Sequence, residues 1–338
     1  MNRRFLDVLS GEEPDVTPIW LMRQAGRYLP GYRKLRETHD ILELAKDPDL
    51  AAQVAEEPLR LFDLDAAIVF ADIIHPLEGL GVEVRLDAGQ GPRIENPVRG
   101  LTDLTRLRTP LDAEGQTGFV GQTIRRLRER TDRPVIGFSA SPFTLACYLV
   151  QGRHERDFPA MRRLLSSDPE FVRQLMMVLS AATIEYVQMQ ERAGAHAIQI
   201  FDTWAGILSA DQYATHVSPY LGEILTSVDV PTIYFSTGSS HLLPLESSLG
   251  ATALSVDWRV PLDEVHRVTG DGTVLQGNLD PAALLGTPES LESATREVLS
   301  RVPAGAGHIF NLGHGVLPET DPQQVKRLVD LVHAASRE

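Results

Sequence analysis

The feature that most constrains the fold is an alternation of short apolar runs with longer segments of helical period. Each run is rich in β-branched residues and has the length of a strand. The eight predicted strands are Pro18–Met22, Ala66–Ala71, Pro134–Phe138, Ala197–Phe201, Pro231–Phe235, Ala253–Val256, Thr273–Gln276 and His308–Asn311. Strands that alternate with helices pair in parallel through right-handed crossovers. The pattern therefore predicts an α/β protein, and eight units over 338 residues favour a (β/α)8 TIM barrel.

The intervening segments carry recognisable helix starts. A capping side chain followed by proline begins four of them, at Asp47-Pro48, Asp168-Pro169, Thr287-Pro288 and Asp321-Pro322. Proline suits the first helical position because the N–H that it lacks has no partner there. The longest predicted helix runs from Asp168 to about Ala193 and ends at Gly194, a plausible left-handed cap.

An open, doubly wound sheet is the alternative architecture. No Gly-x-Gly-x-x-Gly follows the first predicted strand, which disfavours a dinucleotide-binding sheet. The stretch Gly89-Gln90-Gly91-Pro92 is interpreted as a hairpin or turn rather than a phosphate-binding loop. No low-complexity linker divides the chain, so residues 1–338 are expected to form a single domain with its active site at the carboxyl ends of the strands.

Charge and cysteine content exclude several classes of protein. The chain has 32 basic and 46 acidic residues, a formal charge of −14, and nucleic-acid binders are usually basic. The same charge would repel an anionic ligand at long range. Cys147 is the only cysteine, so neither a disulfide nor a zinc site with two cysteines can form within one chain. With no signal-like segment and no apolar run long enough to span a membrane, we expect a cytoplasmic protein.

Polar side chains follow nearly every apolar run. They are Arg23, Asp72, Ser139, Asp202 with Thr203, Ser236, Asp257, Asn278 and His314. In a TIM barrel the carboxyl ends of the strands form the active site, so these groups would face one mouth. Any one of them, taken singly, is more simply interpreted as a strand-terminating cap.

The strongest local feature is a basic segment after the first predicted strand. Between Ile19 and Arg36 there are five basic residues and no acidic one. An arginine fork makes paired hydrogen bonds with carboxylates and stays charged. Arg23 and Arg27 flank Gly26, which permits close approach of a ligand to the backbone. Those two are therefore the candidate anion-binding residues, whereas the remaining bases of the segment are also consistent with a solvated face.

Three further residues are candidates for the site. Asp72 ends a buried run, where it would either pair with an arginine or offer a fixed negative charge to ligand N–H groups. His314 lies between glycines in Asn311-Leu312-Gly313-His314-Gly315, a loop that could present its imidazole to a ligand. Tyr148 sits on a probable helical turn, and a buried tyrosine with a satisfied hydroxyl is its simpler interpretation.

Absent motifs narrow the chemistry. Only three lysines occur, and none ends a predicted strand, which disfavours Schiff-base and pyridoxal phosphate chemistry. The chain has no His-Glu-x-x-His, no Walker loop and no Gly-x-Ser-x-Gly, and its ten histidines do not cluster at metal-ligand spacing. We therefore expect neither a metal nor an organic cofactor.

Five blocks of the sequence resemble the uroporphyrinogen decarboxylase family. In the order of that family they are Pro18-Ile19-Trp20-Leu21-Met22-Arg23-Gln24-Ala25-Gly26-Arg27-Tyr28-Leu29-Pro30, Asp65-Ala66-Ala67-Ile68-Val69-Phe70-Ala71-Asp72-Ile73, Ser141-Pro142-Phe143-Thr144-Leu145, Ile200-Phe201-Asp202-Thr203-Trp204-Ala205-Gly206 and Asn311-Leu312-Gly313-His314-Gly315. They span essentially the whole chain, and the first and last are the most specific.

The resemblance implies a cofactor-free carboxy-lyase that converts the four acetate side chains of uroporphyrinogen to methyls, giving coproporphyrinogen for haem synthesis. It implies Asp72, Arg23 and Arg27 as catalytic residues, with the proton donor left open between these side chains and an ordered water. The substrate contacts that it implies are Arg23, Gln24, Ala25, Gly26, Arg27, Asp72, Tyr148, Thr203, His314, Phe138 and Phe201. It also implies a homodimer.

Two other functions stay open at this stage. A zinc-dependent methyltransferase on a related barrel, of the corrinoid or methionine type, would need cysteines, and the single Cys147 lies in an apolar context. A non-catalytic tetrapyrrole carrier could use the same residues, and only an assay of the products separates it from an enzyme.

Overall fold

The computed structural model describes residues 2–87 and 91–335. Its strands are β1 (Ala67–Ile68), β2 (Val84–Asp87), β3 (Gly91–Ile94), β4 (Val135–Ala140), β5 (Ala197–Asp202), β6 (Thr232–Ser236), β7 (Ala253–Ser255), β8 (Val274–Leu279) and β9 (His308–Leu312). Seven of them form one parallel sheet in the order β1-β4-β5-β6-β7-β8-β9. Every residue of β4 and β8 is buried, as expected for parallel strands covered on both faces. The predicted α/β class with a parallel sheet is confirmed.

The segment predicted as the first strand, Pro18–Met22, is not a regular strand. It touches β9 through a single parallel bridge between Ile19 and Phe310. Pro18 has no N–H, and side-chain oxygens take the place of a strand partner at three N–H groups of the segment. The acceptors are Asp65 Oδ2 for Ile19 (2.9 Å), Gln24 Oε1 for Leu21 (3.1 Å) and Asn311 Oδ1 for Met22 (3.0 Å). The prediction of eight regular strands closed into a barrel is therefore wrong in this one element.

The smaller sheet is an antiparallel hairpin of β2 and β3, with Val84 opposite Ile94 and Asp87 opposite Gly91. The hairpin that we predict around Gly89-Gln90-Gly91-Pro92 is confirmed by this pairing. Residues 88–90 of its turn lie outside the described part of the chain.

The helices alternate with the sheet strands. They are α1 (Arg4–Leu9), α2 (Pro30–Leu35), α3 (Ile41–Lys46), α4 (Pro48–Leu61), α5 (His75–Gly79), α6 (Leu101–Leu104), α7 (Ala113–Arg130), α8 (Pro142–Gln151), α9 (Pro159–Ser167), α10 (Pro169–Arg192), α11 (Ala210–His216), α12 (Ser218–Leu225), α13 (Leu243–Glu246), α14 (Leu262–Thr269), α15 (Pro288–Ser300) and α16 (Pro322–Ala335). Short 3-10 helices occupy Ala205–Ile207, Ser240–Leu242 and Pro281–Leu285.

All four predicted helix starts are confirmed. Asp47 accepts hydrogen bonds from two N–H groups of the first turn of α4, and Asp168, Thr287 and Asp321 each accept one in α10, α15 and α16. Removing such a cap typically costs about 1 kcal/mol. The longest helix ends as expected, because Gly194 lies two residues beyond it with a φ of +101°.

The core lies between the sheet and the helices. Long helices bury one apolar face against the strands, as α10 does with Leu175, Leu179 and Val187. Over the described ranges, none of the helices combines the length and the apolar character that crossing a membrane would require.

Candidate functional site

The loop that carries Arg23 is held in place by the loop after β9. Asn311 Oδ1 accepts the N–H of Met22 at 3.0 Å, and the Met22 carbonyl accepts the N–H of Val316 at 2.9 Å. Arg23 itself has a φ of +60°, a left-handed conformation that typically costs a non-glycine residue about 1–3 kcal/mol. The two hydrogen bonds of Met22 therefore anchor the strained backbone of Arg23 against β9 and the loop that follows it.

Arg23 lies against the second glycine of the His314 loop. A Cβ at Gly315 would overlap the aliphatic stem of Arg23, so this position has room for the arginine only because residue 315 is glycine. Arg23 as a whole residue is nevertheless exposed to solvent. Burial on its inner side and the nearby charge of Arg27 lower the pKa of Arg23, while Asp72 and Tyr148 act in the opposite direction. These electrostatic effects place the four side chains in one neighbourhood.

Gln24 makes hydrogen bonds within the protein and does not reach the solvent-exposed side of this loop. Its side-chain oxygen accepts the N–H of Leu21, its side-chain nitrogen donates to the Ala66 carbonyl, and its own carbonyl accepts the Tyr28 hydroxyl. Gln24 is completely buried. The geometry therefore gives no support to Gln24 as a direct ligand contact.

The two residues that follow are partly open. Ala25 and Gly26 are half-buried, and Arg27 is exposed at the end of the loop. A Cβ at Gly26 would lie 3.2 Å from the Arg23 carbonyl oxygen, a close fit that glycine avoids. The backbone from residue 25 to residue 27 is thus the accessible part of the segment.

The remaining bases of the segment are used locally or face solvent. Arg33 donates to the Tyr28 carbonyl at 2.9 Å, and Arg36 donates to the His39 carbonyl at 2.6 Å. Lys34 is exposed. These contacts agree with the simpler interpretation of a solvated and locally bonded basic face.

Asp72 follows β1, and its carboxyl and the Arg23 guanidinium each influence the pKa of the other. One of its carboxylate oxygens accepts the N–H of Ile74 at 3.1 Å. Burial raises the pKa of Asp72, while His75, the Ile74 N–H and Arg23 oppose that rise and Glu78 adds to it. Because, within the described part of the chain, only one of its oxygens accepts a backbone N–H of the turn, the Asp72 carboxylate can also accept hydrogen bonds from ligand N–H groups or pair with a positive charge on a ligand.

Tyr148 on α8 closes another side of the same space. It is 8% exposed, and its ring packs edge-on against Phe158 and Trp204 with centroid distances of 5.6 and 6.2 Å. Burial raises the pKa of Tyr148 to about 12, so the hydroxyl keeps its proton at neutral pH. Asp72 raises this pKa and Arg23 lowers it, which again links the three groups.

His314 is held as a neutral ring with a defined tautomer. Its Nδ1 accepts the N–H of Gly315 at 2.8 Å, so the proton of the neutral ring resides on Nε2. Burial, together with the charge of Arg23, lowers the pKa of His314 to about 4. At neutral pH His314 therefore offers one N–H donor and no charge.

Phenylalanine rings form an apolar wall between these polar groups. Phe138 packs edge-on against Phe201 at 5.6 Å, Phe201 against Phe235 at 5.7 Å, and Phe235 faces His314 at 6.3 Å. Phe201 and Phe235 are register partners in β5 and β6, so their side chains share one face of the sheet. Phe235 was not among the residues predicted for the site, although it ends a predicted strand in the same way as Phe201.

Several other strand-end residues are structural. Asp202 is buried and accepts hydrogen bonds from Ser141 (2.5 Å), Thr144 (2.9 Å) and Tyr234 (3.0 Å). Burial, opposed by these bonds, raises the pKa of Asp202 to about 6. The bonds tie the end of β5 to the start of α8, the helix that carries Tyr148.

The polar residues at the ends of the next strands also make hydrogen bonds within the protein. Asp257 accepts the N–H of Gly238 and an N–H of the Arg259 guanidinium, both at 2.6 Å, and Asn278 donates to the Asp257 carbonyl. Ser236 pairs with Ser239 at 2.6 Å. Thr203 is half-buried beside Asp202, and its carbonyl accepts the Thr237 hydroxyl at 3.0 Å.

No metal site emerges from the side chains of the described residues. Within those ranges, no three His, Cys, Asp or Glu side chains are arranged to hold an ion. Cys147 is completely buried, and burial raises the pKa of its thiol well above the usual range. A thiolate ligand from this position is therefore disfavoured.

We call the space bounded by Arg23, Asp72, Tyr148 and His314 the recess. It offers the guanidinium fork of Arg23, one carboxylate, neutral donors and an aromatic wall at the carboxyl ends of parallel strands. An α/β protein with these groups at its strand ends has the side chains that suit a ligand with apolar rings, N–H groups and acidic substituents.

Comparison with known proteins identifies the family. The family model described as uroporphyrinogen decarboxylase (URO-D) matches residues 1–335. Curated uroporphyrinogen decarboxylases are similar throughout: the protein from Trichlorobacter lovleyi is 42% identical over 342 residues, covering 100% of both chains. The one from Thermobifida fusca is 46% identical over 323 residues, covering 94% of this chain and 88% of the relative. The chain therefore belongs to the uroporphyrinogen decarboxylase family.

Solved structures share the fold at lower identity. A methyltransferase from Methanosarcina mazei aligns with a TM-score of 0.85 at 22% identity, covering 99% of this chain and 98% of the other. A B12-independent methionine synthase from a Shewanella species aligns with a TM-score of 0.60 at 12% identity, covering 86% and 87%. Likeness at this level of identity concerns the fold alone.

Proposed function

We propose that this protein is a carboxy-lyase that converts the four acetate side chains of uroporphyrinogen to methyls, giving coproporphyrinogen in tetrapyrrole synthesis. The observation that carries the proposal is the recess, in which Arg23 and Asp72 lie close enough to act on each other's pKa beside the neutral donors Tyr148 and His314. Full-length similarity to curated uroporphyrinogen decarboxylases supports the same activity.

The substrate fits the recess in its chemistry. Its carboxylates suit the guanidinium forks of Arg23 and Arg27, and the backbone at Ala25 and Gly26 allows close approach. Its pyrrole N–H groups suit the Asp72 carboxylate. Its apolar rings suit the wall that Phe138 and Phe201 form, with Phe235 as a further member.

Two further contacts complete the proposed set. Tyr148 and His314 are neutral at pH 7 and can donate a hydrogen bond to a substrate carboxylate without adding charge. Thr203 follows directly after β5 and offers a hydroxyl near the edge of the wall. Gln24 holds the loop in place rather than touching the substrate.

The reaction needs an electron sink, which the substrate can supply. Protonation of the pyrrole carbon next to the one that bears an acetate arm gives an iminium-like ring that is conjugated with the arm. The carbon–carboxylate bond then breaks, its electron pair moves into the ring, and carbon dioxide leaves. The resulting enamine takes up a proton at the exocyclic carbon to form a methyl group, and the ring carbon loses the proton that it gained. Each acetate thus consumes one proton overall, and the scheme uses no cofactor.

Asp72 stabilises the positive ring that forms in the first step. A fixed carboxylate beside the pyrrole nitrogens acts on charge as it develops, which is the most effective place for electrostatic stabilisation. Arg23 and Arg27 hold the reacting carboxylates, but a guanidinium is a poor acid because its pKa lies above about 12. Because Asp72 acts here as an ionised carboxylate, an ordered water is the better proton donor.

We also propose that the architecture is a single-domain (β/α)8 barrel completed by the segment Pro18–Met22. Ile19 supports this closure, since it bridges Phe310 of β9 while its carbonyl accepts the N–H of Asp65, just before β1. From the family resemblance we propose a homodimer, and from the sequence a cytoplasmic location.

One assay tests the proposed function. The purified protein is incubated without oxygen with uroporphyrinogen I or III, and the products are oxidised and separated by chromatography. We expect porphyrins with progressively fewer carboxylates, ending at coproporphyrin. Tight binding with unchanged substrate would instead indicate a carrier. Stoichiometric zinc in the purified protein, with no decarboxylation, would favour a methyltransferase.

A further inference from the structure

A cluster of ionisable side chains lies next to the turn that carries Asp72, and its innermost member is buried. We call the set of His75, Glu78 and Lys46 the back cluster. His75 is completely buried at the start of α5, and its Nδ1 lies 2.7 Å from Glu78 Oε2. The other carboxylate oxygen of Glu78 accepts a hydrogen bond from Lys46 Nζ at 2.6 Å. The cluster thus runs from the exposed end of α3 to the turn that carries Asp72.

The same turn joins Asp72 to His75. The N–H of Ile74 binds Asp72 Oδ1 at 3.1 Å, and the N–H of His75 approaches the Asp72 carbonyl at 3.4 Å. Asp72 and His75 are therefore held three residues apart in one hydrogen-bonded turn, and His75 lowers the pKa of the Asp72 carboxyl. No residue of the described chain makes a hydrogen bond to His75 Nε2, although this atom is buried.

The imidazole is fixed rather than mobile. The ring of Phe119 on α7 meets it edge-on, with centroids 5.0 Å apart and planes at 89°. Because an ionised carboxylate can only accept, the Nδ1 of His75 donates to Glu78. Glu78 therefore holds the ring from the side of Nδ1.

We propose that His75, held by Glu78, is a positioning residue that keeps the Asp72 carboxylate ionised and oriented for the substrate. The inference rests on the proposed function, because it concerns the same carboxylate. His75 itself does not touch the substrate. Its contribution would matter most in the first step, where an already protonated Asp72 could not stabilise the positive pyrrole ring.

Other charged and titratable groups also influence the pKa of Asp72, so a test of His75 must be compared with their effects. Glu78 raises its pKa from α5, and Arg23 lowers it from the loop after Pro18–Met22. The protonated hydroxyls of Tyr148 on α8 and Tyr186 on α10 lie within its electrostatic range. Among the groups of α5, His75 gives the largest opposition to the effect of burial.

The test compares the pH dependence of kcat/KM in three variants with that of the wild-type protein. His75→Gln keeps a polar side chain and removes the ring, so the acidic limb should move to higher pH by about 0.5 to 1 unit. The matched control is His196→Gln, a histidine at the opposite end of the strands whose Nδ1 accepts the N–H of Val135. Its limb should stay in place. Asp72→Asn serves as the reference for the carboxylate itself.

The outcomes separate the two proposals. Loss of activity in Asp72→Asn together with a displaced limb in His75→Gln supports the inference. An inactive Asp72→Asn with an unmoved limb in His75→Gln overturns it and leaves the proposed function standing. Full activity of Asp72→Asn overturns the role of Asp72 and the inference with it. If His75→Gln does not fold by circular dichroism, the smaller His75→Asn replaces it, and the Asp72 carboxyl is titrated by carbon-13 NMR.

Discussion

Arg23 packs its aliphatic stem on the α-carbon of Gly315, so the position of the guanidinium depends on the absence of a side chain there. Gly315 lies in the loop that also fixes the tautomer of His314. The loop of Arg23 and the loop of His314 therefore pack directly against each other, although nearly 300 residues separate them in the sequence.

Replacing this glycine should displace Arg23 while leaving the fold intact. We expect Gly315→Ala to raise KM for uroporphyrinogen by about tenfold or more, because the arginine fork loses its place at the substrate carboxylates. Steady-state kinetics measures the effect. Gly222→Ala is the control, since a Cβ at that helical position meets open space. An unchanged KM in Gly315→Ala would show that Arg23 does not hold the substrate from this position.

Removing the charge of Asp72 should cost most of the turnover. Asp72→Asn keeps the size of the side chain, and we expect a fall in kcat of about 10²-fold or more, as for the loss of one preorganised electrostatic group. Single-turnover measurements of carbon dioxide release distinguish this from slow product release. Turnover close to that of the wild-type protein would contradict the assigned role.

The geometry of the Arg27 fork should matter more than its charge. Arg27→Lys keeps a cation but loses paired hydrogen bonding, so we expect KM to rise several-fold with a smaller change in kcat. Arg36→Lys is a suitable control, because Arg36 is bonded to the carbonyl of His39 outside the recess. Equal kinetics for the two variants would place Arg27 outside the site.

Most of the fold could be predicted because its signals are local. A capping residue followed by proline is enough to locate a helix start, as at Asp168 and Thr287, and the apolar runs of β4 and β5 need no information from distant residues. Pro18–Met22 differs because side chains from elsewhere take over its N–H groups. The carboxylate of Asp65 and the amide of Asn311 come from other parts of the chain, so hydrophobic pattern alone could not reveal the substitution.

In the candidate site, too, some residues could be predicted from local sequence signals and others could not. Arg23, Asp72 and His314 follow strands and carry distinctive neighbours, so sequence motifs could locate them, and the structure brings them together. The structural role of Asp202 depends on Ser141 and Tyr234, which reach it from two other elements. The back cluster is harder to find in sequence, because Lys46, which binds the Glu78 partner of His75, precedes His75 by 29 residues and belongs to another helix.

Glu246 allows a prediction about stability that does not depend on catalysis. It is 1% exposed on α13, and none of the described residues makes a hydrogen bond of good geometry to either carboxylate oxygen. Burial raises its pKa from 4.5 to about 8, with nearby Asp202 and Asp257 adding to the shift and the Ser236 and Ser239 hydroxyls opposing it. The folded protein therefore holds this proton at neutral pH, whereas the unfolded chain does not.

A proton held only in the folded state makes stability fall as pH rises. Between the unfolded pKa of 4.5 and the folded value of about 8, each pH unit costs about 1.4 kcal/mol, and the full loss is on the order of 5 kcal/mol. Glu246→Gln removes this titration and keeps the shape of the side chain. Urea unfolding from pH 5 to pH 9 should thus show a widening advantage for the variant above pH 5, levelling off above pH 8. The exposed Glu129→Gln should run parallel to the wild-type protein. Parallel curves for Glu246→Gln as well would mean that Glu246 is ionised in the folded state and has a partner or solvent contact in solution.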